Sequence, residues 1–152
     1  MFYLKSNFTI AALVLLPCLI FAQGKSVPAS YQDKTIYKIV EEAPRFRLDN
    51  CEQSNDLIEK QSCSKFALKN YLKDHLQYPK EAKEKKISGI VLVEVIVEPN
   101  GKVIFSKILR DIGGGCGQEA IRLINNMPLW VPGKLKGEEV RVQTPLTIKF
   151  DL

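Results

Sequence analysis

Four glycines and a thiol crowd the stretch Ile112 to Ala120, which reads IGGGCGQEA. Residues of these types can cradle a phosphate, hold a reactive thiolate at a helix N-terminus, or simply turn the chain. Gly115-Cys116-Gly117-Gln118-Glu119-Ala120 fits G-x-G-x-x-A, but that fingerprint needs a βαβ unit with an acidic residue at the end of its second, parallel strand. The preceding segment here reads as the second arm of a hairpin. The following helix leads into MPLWVPGKLKG, and Glu138 and Glu139 precede their strand instead of ending it. No Walker lysine is present. A cysteine at a helix N-terminus can have a lowered pKa, yet covalent catalysis also needs a base and a group to orient it. His75 is the only histidine, and it falls among the apolar positions of a helical run. Cys51, Cys63, Cys116 and His75 are enough donors for zinc, but no C-x-x-C or histidine-rich spacing supports a site. There are no paired carboxylates at matched spacing and no G-x-S-x-G element. The expectation is no enzyme, no cofactor and no metal, with Gly113, Gly114, Gly115 and Gly117 as a permissive entry to a helix.

The chain has 152 residues, 45% hydrophobic and 26% charged, a globular composition. Its start, MFYLKSNFTIAALVLLPCLIFAQGKS, places Lys5 before an uncharged apolar run from Phe8 to Ala22. That is the plan of a secretory signal peptide, cleaved after Ala22. The run is short of the roughly 20 residues of a comfortable membrane span, although an uncleaved signal-anchor is the alternative. Pro17 before Cys18 and the apolar residues after it argue against lipidation. Export opens the oxidising chemistry of disulfides. Cys51 and Cys63 lie twelve positions apart in a polar stretch, and a bridge there contributes on the order of 3 kcal/mol by chain entropy. Cys116 is then the odd thiol. The net charge of +5 falls by one without Lys5. With no basic run interleaved with aromatics, this exported chain does not read as a nucleic-acid binder. Lys80, Lys83, Lys85 and Lys86 alternate with Glu81 and Glu84 as a solvated helix face.

The elements that would position these residues follow from periodicity. Residues 23–63 read as an extended arm or linker after the signal at 1–22. The domain then runs over 64–152. Phe66, Leu68, Tyr71, Leu72, His75 and Leu76 recur at helical spacing, with Ser64 able to cap the start. Pro79 suits the first position of a short second helix, PKEAKEKK. In GIVLVEVIVEPNG the period becomes two, so Val91, Val93, Val95 and Val97 share a core-facing side. Pro99-Asn100-Gly101 is a turn, and KVIFSKILR returns as the hairpin partner. A two- or a three-residue loop decides where Phe105 faces, and the sequence leaves that open. A third helix, QEAIRLINNM, carries Ala120, Ile121, Ile124 and Met127. In EEVRVQTPLTIKFDL, Val140, Val142, Leu146, Ile148 and Phe150 alternate with polar residues as a closing strand. The order predicts an α+β fold: an antiparallel sheet of about three strands with two or three helices on one face.

The stretch from about Leu72 to Leu152 resembles the TonB C-terminal domain family, in its Bacteroidetes-type versions. The likeness rests on QYPKEAKEKKISGIVLVEVIVEPNGKV and RDIGGGCGQEAIRLINNMPLWVPGKLKGEEVRVQTPLTIKF. Tyr-Pro, the valine strand, the turn glycine, Met-Pro-x-Trp-x-Pro-Gly and the closing V-R-V-Q combine specifically. VEEAPRF and the Cys51/Cys63 pair look like these relatives too. The resemblance implies a small antiparallel sheet with two helices on one face. It also implies a periplasmic role, in which a TonB-dependent outer-membrane transporter lends its TonB-box segment as an extra strand. On that basis Gln77, Tyr78 and Pro79 approach the transporter. The paired edge is Val140, Arg141, Val142, Gln143, Thr144, Pro145, Leu146, Thr147, Ile148, Lys149 and Phe150. An unpaired edge of this kind also permits a homodimer. Gly89, Gly101, Gly113, Gly114, Gly115, Gly117, Trp130, Pro132 and Gly133 match positions that pack and turn the chain.

Two features depart from the family's pattern. Pro145 stands two residues earlier than the proline of comparable relatives, although positions 145 and 147 point their backbone groups to the same side. The missing N–H should therefore fall on the free edge, at the cost of one hydrogen bond to a docked peptide. The apolar segment also lacks the serine-histidine pair that engages the ExbB–ExbD motor. The arm from Gly24 to Asn50 reaches at most roughly 95 Å when extended. An anchored transducer working with ExbB–ExbD, or a structural envelope-binding module, are the alternatives to a secreted binding domain.

Overall fold

The valine alternation builds the centre of the molecule. In the computed structural model, which describes residues 35–152, β1 spans Gly89–Val97 and turns Val91, Val93, Val95 and Val97 fully inward. β-Branched side chains pack well on such a pleated, half-buried surface. The expected signal peptide, its cleavage site and the first part of the arm lie outside the described residues. After β1 the Glu98 N–H donates to the Lys102 carbonyl at 2.9 Å and the Gly101 N–H to the Glu98 carbonyl at 2.8 Å. The loop therefore has three residues, Pro99 to Gly101. Gly101 has φ 82°, and a Cβ there would lie 2.2 Å from the Trp130 carbonyl oxygen, so only glycine fits. β2, Val103–Arg110, returns with Phe105 opposite Val95, on the valine side. Its pairing slips between Leu92 and Val93 and again between Glu94 and Val95.

β5, Val142–Phe150, lies on the other side of β1 and pairs with it along its whole nine-residue length without a shift. The sheet order is β2-β1-β5, all antiparallel. Leu146, Ile148 and Phe150 continue the buried face. The expected strand from Val140 to Phe150 is in fact divided. Val140 ends β4, Glu138–Val140, which pairs with β3, Gly133–Leu135, in a second small sheet. Lys136 and Gly137, with φ of 54° and 80°, form the two-residue turn between them. Val140 and Val142 keep the two-residue burial period, and Arg141 carries the chain from one sheet to the other.

α3, Cys116–Asn125, is entered through Gly113, Gly114 and Gly115, whose φ values of 79°, 59° and 84° are left-handed. It buries Cys116, Ala120, Leu123 and Ile124 against the sheet. α1 is longer than expected, Leu57–His75, because the Asp56 carboxylate, not Ser64, caps it by accepting the Ile58 N–H. Ser64 is buried in mid-helix. α2 is the short Lys80–Glu84 turn, with Pro79 as its cap residue instead of its first helical one. Phe66 is 67% exposed. The packed column of α1 is Leu68, Tyr71, Leu72 and Leu76, and two residues along a helix turn a side chain about 200° away. His75 is exposed as well and stacks on the Tyr71 ring at 4.1 Å.

The described part of the arm lies along the domain. Phe46 is buried between Tyr71 and Trp130, with ring centroids 5.2 and 6.1 Å away. Cys51, in a 3-10 turn at Asp49–Gln53, is joined to Cys63 of α1. Arg45 donates to both carboxylate oxygens of Glu52, at 3.1 and 2.6 Å. That guanidinium holds the Glu52 carboxyl below its usual range. The result is an α+β fold with a three-stranded sheet, a second small sheet and helices packed on the valine face.

Candidate functional site

The direction of each backbone group in β5 follows from one contact. Tyr37 of the arm pairs in parallel with Val142: its N–H donates to the Arg141 carbonyl at 2.9 Å, and its carbonyl accepts from the Gln143 N–H at 2.8 Å. Odd-numbered positions of β5 therefore point their backbone away from β1, and even-numbered positions point toward it. Pro145 is odd-numbered, so its missing N–H falls on the outer edge, as the sequence leads one to expect. The arm's next pairing residue would be Ile39, whose carbonyl would meet Pro145 and find no donor there. Ile39 is 87% exposed and the arm has left the edge. Beyond it, the N–H groups of Thr147 and Lys149 and the carbonyls of Pro145 and Thr147 face outward along a straight strand.

The opposite edge is built differently. Two bulges interrupt β2, and bulges twist an edge strand away from further pairing. The valine sheet thus has one irregular edge and one regular edge, and the chain's own arm pairs with the regular one through a single bridge, Tyr37 to Val142, at its start.

The structure brings Gln77, Tyr78 and Pro79 to the end of β5. The Tyr78 hydroxyl donates to the Ile87 carbonyl and its ring sits edge-on to Phe150 at 5.7 Å. Burial pushes the Tyr78 phenol above its usual range. The Gln77 N–H donates to Glu119 Oε1 at 2.7 Å. Arg122 donates to both Glu119 oxygens at 2.7 Å and reaches the His75 carbonyl at 2.7 Å. Bonding to Glu119 raises the Arg122 pKa. Glu119 is only 7% exposed. It ties α3 to the loop that carries Gln77. Nothing in the sequence pattern singled it out, beyond an acid three residues before an arginine on a helix. Pro79 packs over Gly115. Together these residues rim a shallow hollow of about 360 Å³.

The remaining sequence-singled residues are structural in their surroundings. Trp130 is buried and its backbone N–H donates to the Gly101 carbonyl at 2.8 Å. Gly89 opens β1, Gly117 lies in the first turn of α3, and Gly133 opens β3 just after Pro132. Val140 stands in the small sheet, away from the outer edge of β5. Arg141 holds Glu98 in a two-pronged pair, with contacts of 2.7 to 3.0 Å. Cys116 is a buried free thiol, and burial first, then the Asp111 carboxylate, pushes its pKa up. That is the reverse of what a nucleophile needs. Cys51 and Cys63 are bonded to each other, so they supply no thiolate to a metal. Among the described residues no helix is long and apolar enough to cross a membrane.

In comparisons with known proteins, the model of one family, described as Gram-negative bacterial TonB protein C-terminal, matches residues 74–152. No curated protein and no solved structure matches the chain.

Proposed function

The chain belongs to the TonB C-terminal family, and from that premise we propose that it binds TonB-dependent outer-membrane transporters in the periplasm by adding a transporter segment as a strand to the outer edge of β5. The family implies a TonB-like, non-catalytic role in transport. The finer reading rests on one observation above all: of the two sheet edges, β5 alone runs its full length without a register shift. Tyr37 and Pro145 limit the open part to the C-terminal half, beside Tyr78. Main-chain hydrogen bonds would supply affinity, and the pockets on either side would select side chains.

Titration of the full chain with synthetic peptides copied from the N-terminal segments of TonB-dependent transporters tests this reading. Saturable binding is expected. It should weaken about fivefold in Thr147→Pro, which removes one edge donor worth about 1 kcal/mol. The β1 ladder survives that change, because the Thr147 N–H points outward. Binding by no such peptide, or binding indifferent to Thr147→Pro, contradicts the proposal.

A further inference from the structure

The outer edge of β5 does not face open solvent on the helix side. A groove of about 490 Å³ separates it from α1, with Thr147, Ile148 and Lys149 on one wall. The other wall carries two columns of α1 and its cap, each repeating every four residues. Leu68, Leu72 and Leu76 form one, and Lys65, Lys69 and Lys73 the other. The leucines are half-buried and the lysines exposed. Like charges four residues apart on a helix oppose one another. Among the described residues, none of these three lysines forms an ion pair. α2 by contrast pairs Lys80 with Glu84 and Lys85 with Glu81. The one acid lining the groove, Asp151, pairs with Lys149 at 2.7 Å, so the basic row of α1 beside the apolar floor has no acidic partner of its own among the described residues.

The dimensions say what shape that counterpart has. Four residues of helix advance about 6 Å, so the lysines repeat at that interval. Alternate residues of a strand, which share one face, repeat at about 6.8 Å. The stretch from Lys65 to Leu76 advances about 16 Å, the length of about five strand residues. We infer that the groove takes an acidic extended peptide of a protein partner, whose backbone pairs with Thr147 and Lys149 while carboxylates at alternate positions meet Lys65, Lys69 and Lys73 over the leucine floor. The outward backbone groups favour a peptide over an anionic lipid surface, which offers them no matching ladder. Lys65, Lys69 and Lys73 all precede residue 74, where the family match begins. The inference rests on strand addition at β5 and deepens it by naming the peptide class.

The test uses the full chain and fluorescent eight-residue peptides that alternate glutamate with valine, or glutamine with valine. The glutamate peptide should bind about tenfold more tightly at low salt, and the preference should shrink as salt rises. Lys65→Glu/Lys69→Glu/Lys73→Glu should abolish the preference. Lys83→Glu/Lys86→Glu/Lys102→Glu changes the net charge equally and should keep it. Amide exchange at Thr147 and Lys149 is read in parallel. Protection of these amides with no glutamate preference, or a preference lost equally in both triple variants, overturns the acidic-peptide inference and leaves strand addition standing. Absence of protection with either peptide overturns the strand-addition reading beneath it.

Discussion

Replacing Glu119 is expected to unseat the Gln77-Tyr78-Pro79 segment from α3. In Glu119→Ala the Gln77 N–H loses an acceptor at 2.7 Å, and a hydrogen bond to a charged group is worth about 1.5–3 kcal/mol. Arg122 loses both of its contacts to the carboxylate but keeps the His75 carbonyl, and its side chain is 37% exposed, so water takes much of the load. That part is worth about 1 kcal/mol. The total is about 3 kcal/mol. Glu119→Gln keeps an oxygen for the Gln77 N–H and loses only the charge, at about 1 kcal/mol. Urea unfolding followed by the fluorescence of Trp130, the sole tryptophan and a buried one, reads both. With a slope of about 1.5 kcal/mol per molar urea, the midpoint should fall by about 2 M in Glu119→Ala and by less than half of that in Glu119→Gln. Equal shifts in the two variants would refute the role given to the Gln77 bond, and a shift under about 0.3 M in Glu119→Ala would refute the clamp altogether.

Other expectations are open to simpler measurements. Cys51→Ser/Cys63→Ser should lose about 3 kcal/mol in the same unfolding assay, with faster amide exchange at the start of α1 and little change in β1. Glu52 is held below its ordinary 4.5 by Arg45, so its contribution is present above that value and lost as pH falls through the lower folded one. Stability should drop over that acid window in the parent and more shallowly in Glu52→Gln, by urea midpoints at several pH values. Cys116→Ser should leave peptide binding intact and cost about 1–2 kcal/mol for a hydroxyl in an apolar site. The native Cys116 thiol should react with a chromogenic disulfide only at the rate of unfolding.

The parts of this fold legible in the sequence were those with a long period and one buried face. β1 is nine residues of alternation with four inward valines, and the outward side of Pro145 follows from the same period of two. The start of α1 was hidden because its first turns, Leu57 to Ser62, present mostly polar residues and no column for a core. β3 and β4 have three residues each, too few to establish a period, although Lys136-Gly137 between G-K-L and E-E-V is a turn signal. Glu119 carries no local mark, since its partner Gln77 lies forty-two residues away. The arm read as a linker because its pairing with the domain is made by isolated bridges at Tyr37, Glu42 and Arg45, which need no repeating pattern. The groove was out of reach for the same reason: its walls come from α1 and β5, at opposite ends of the domain.

Amide hydrogen exchange on the full chain, with and without a transporter-derived peptide, reads the outer edge of β5 most directly. Thr147 and Lys149 should gain protection on binding. Leu146, Ile148 and Phe150, already paired with β1, should change little, and the bulged edge of β2 should stay as it was. Protection that appears along β2, or a bound peptide that leaves Thr147 and Lys149 exchanging freely, would contradict strand addition at β5.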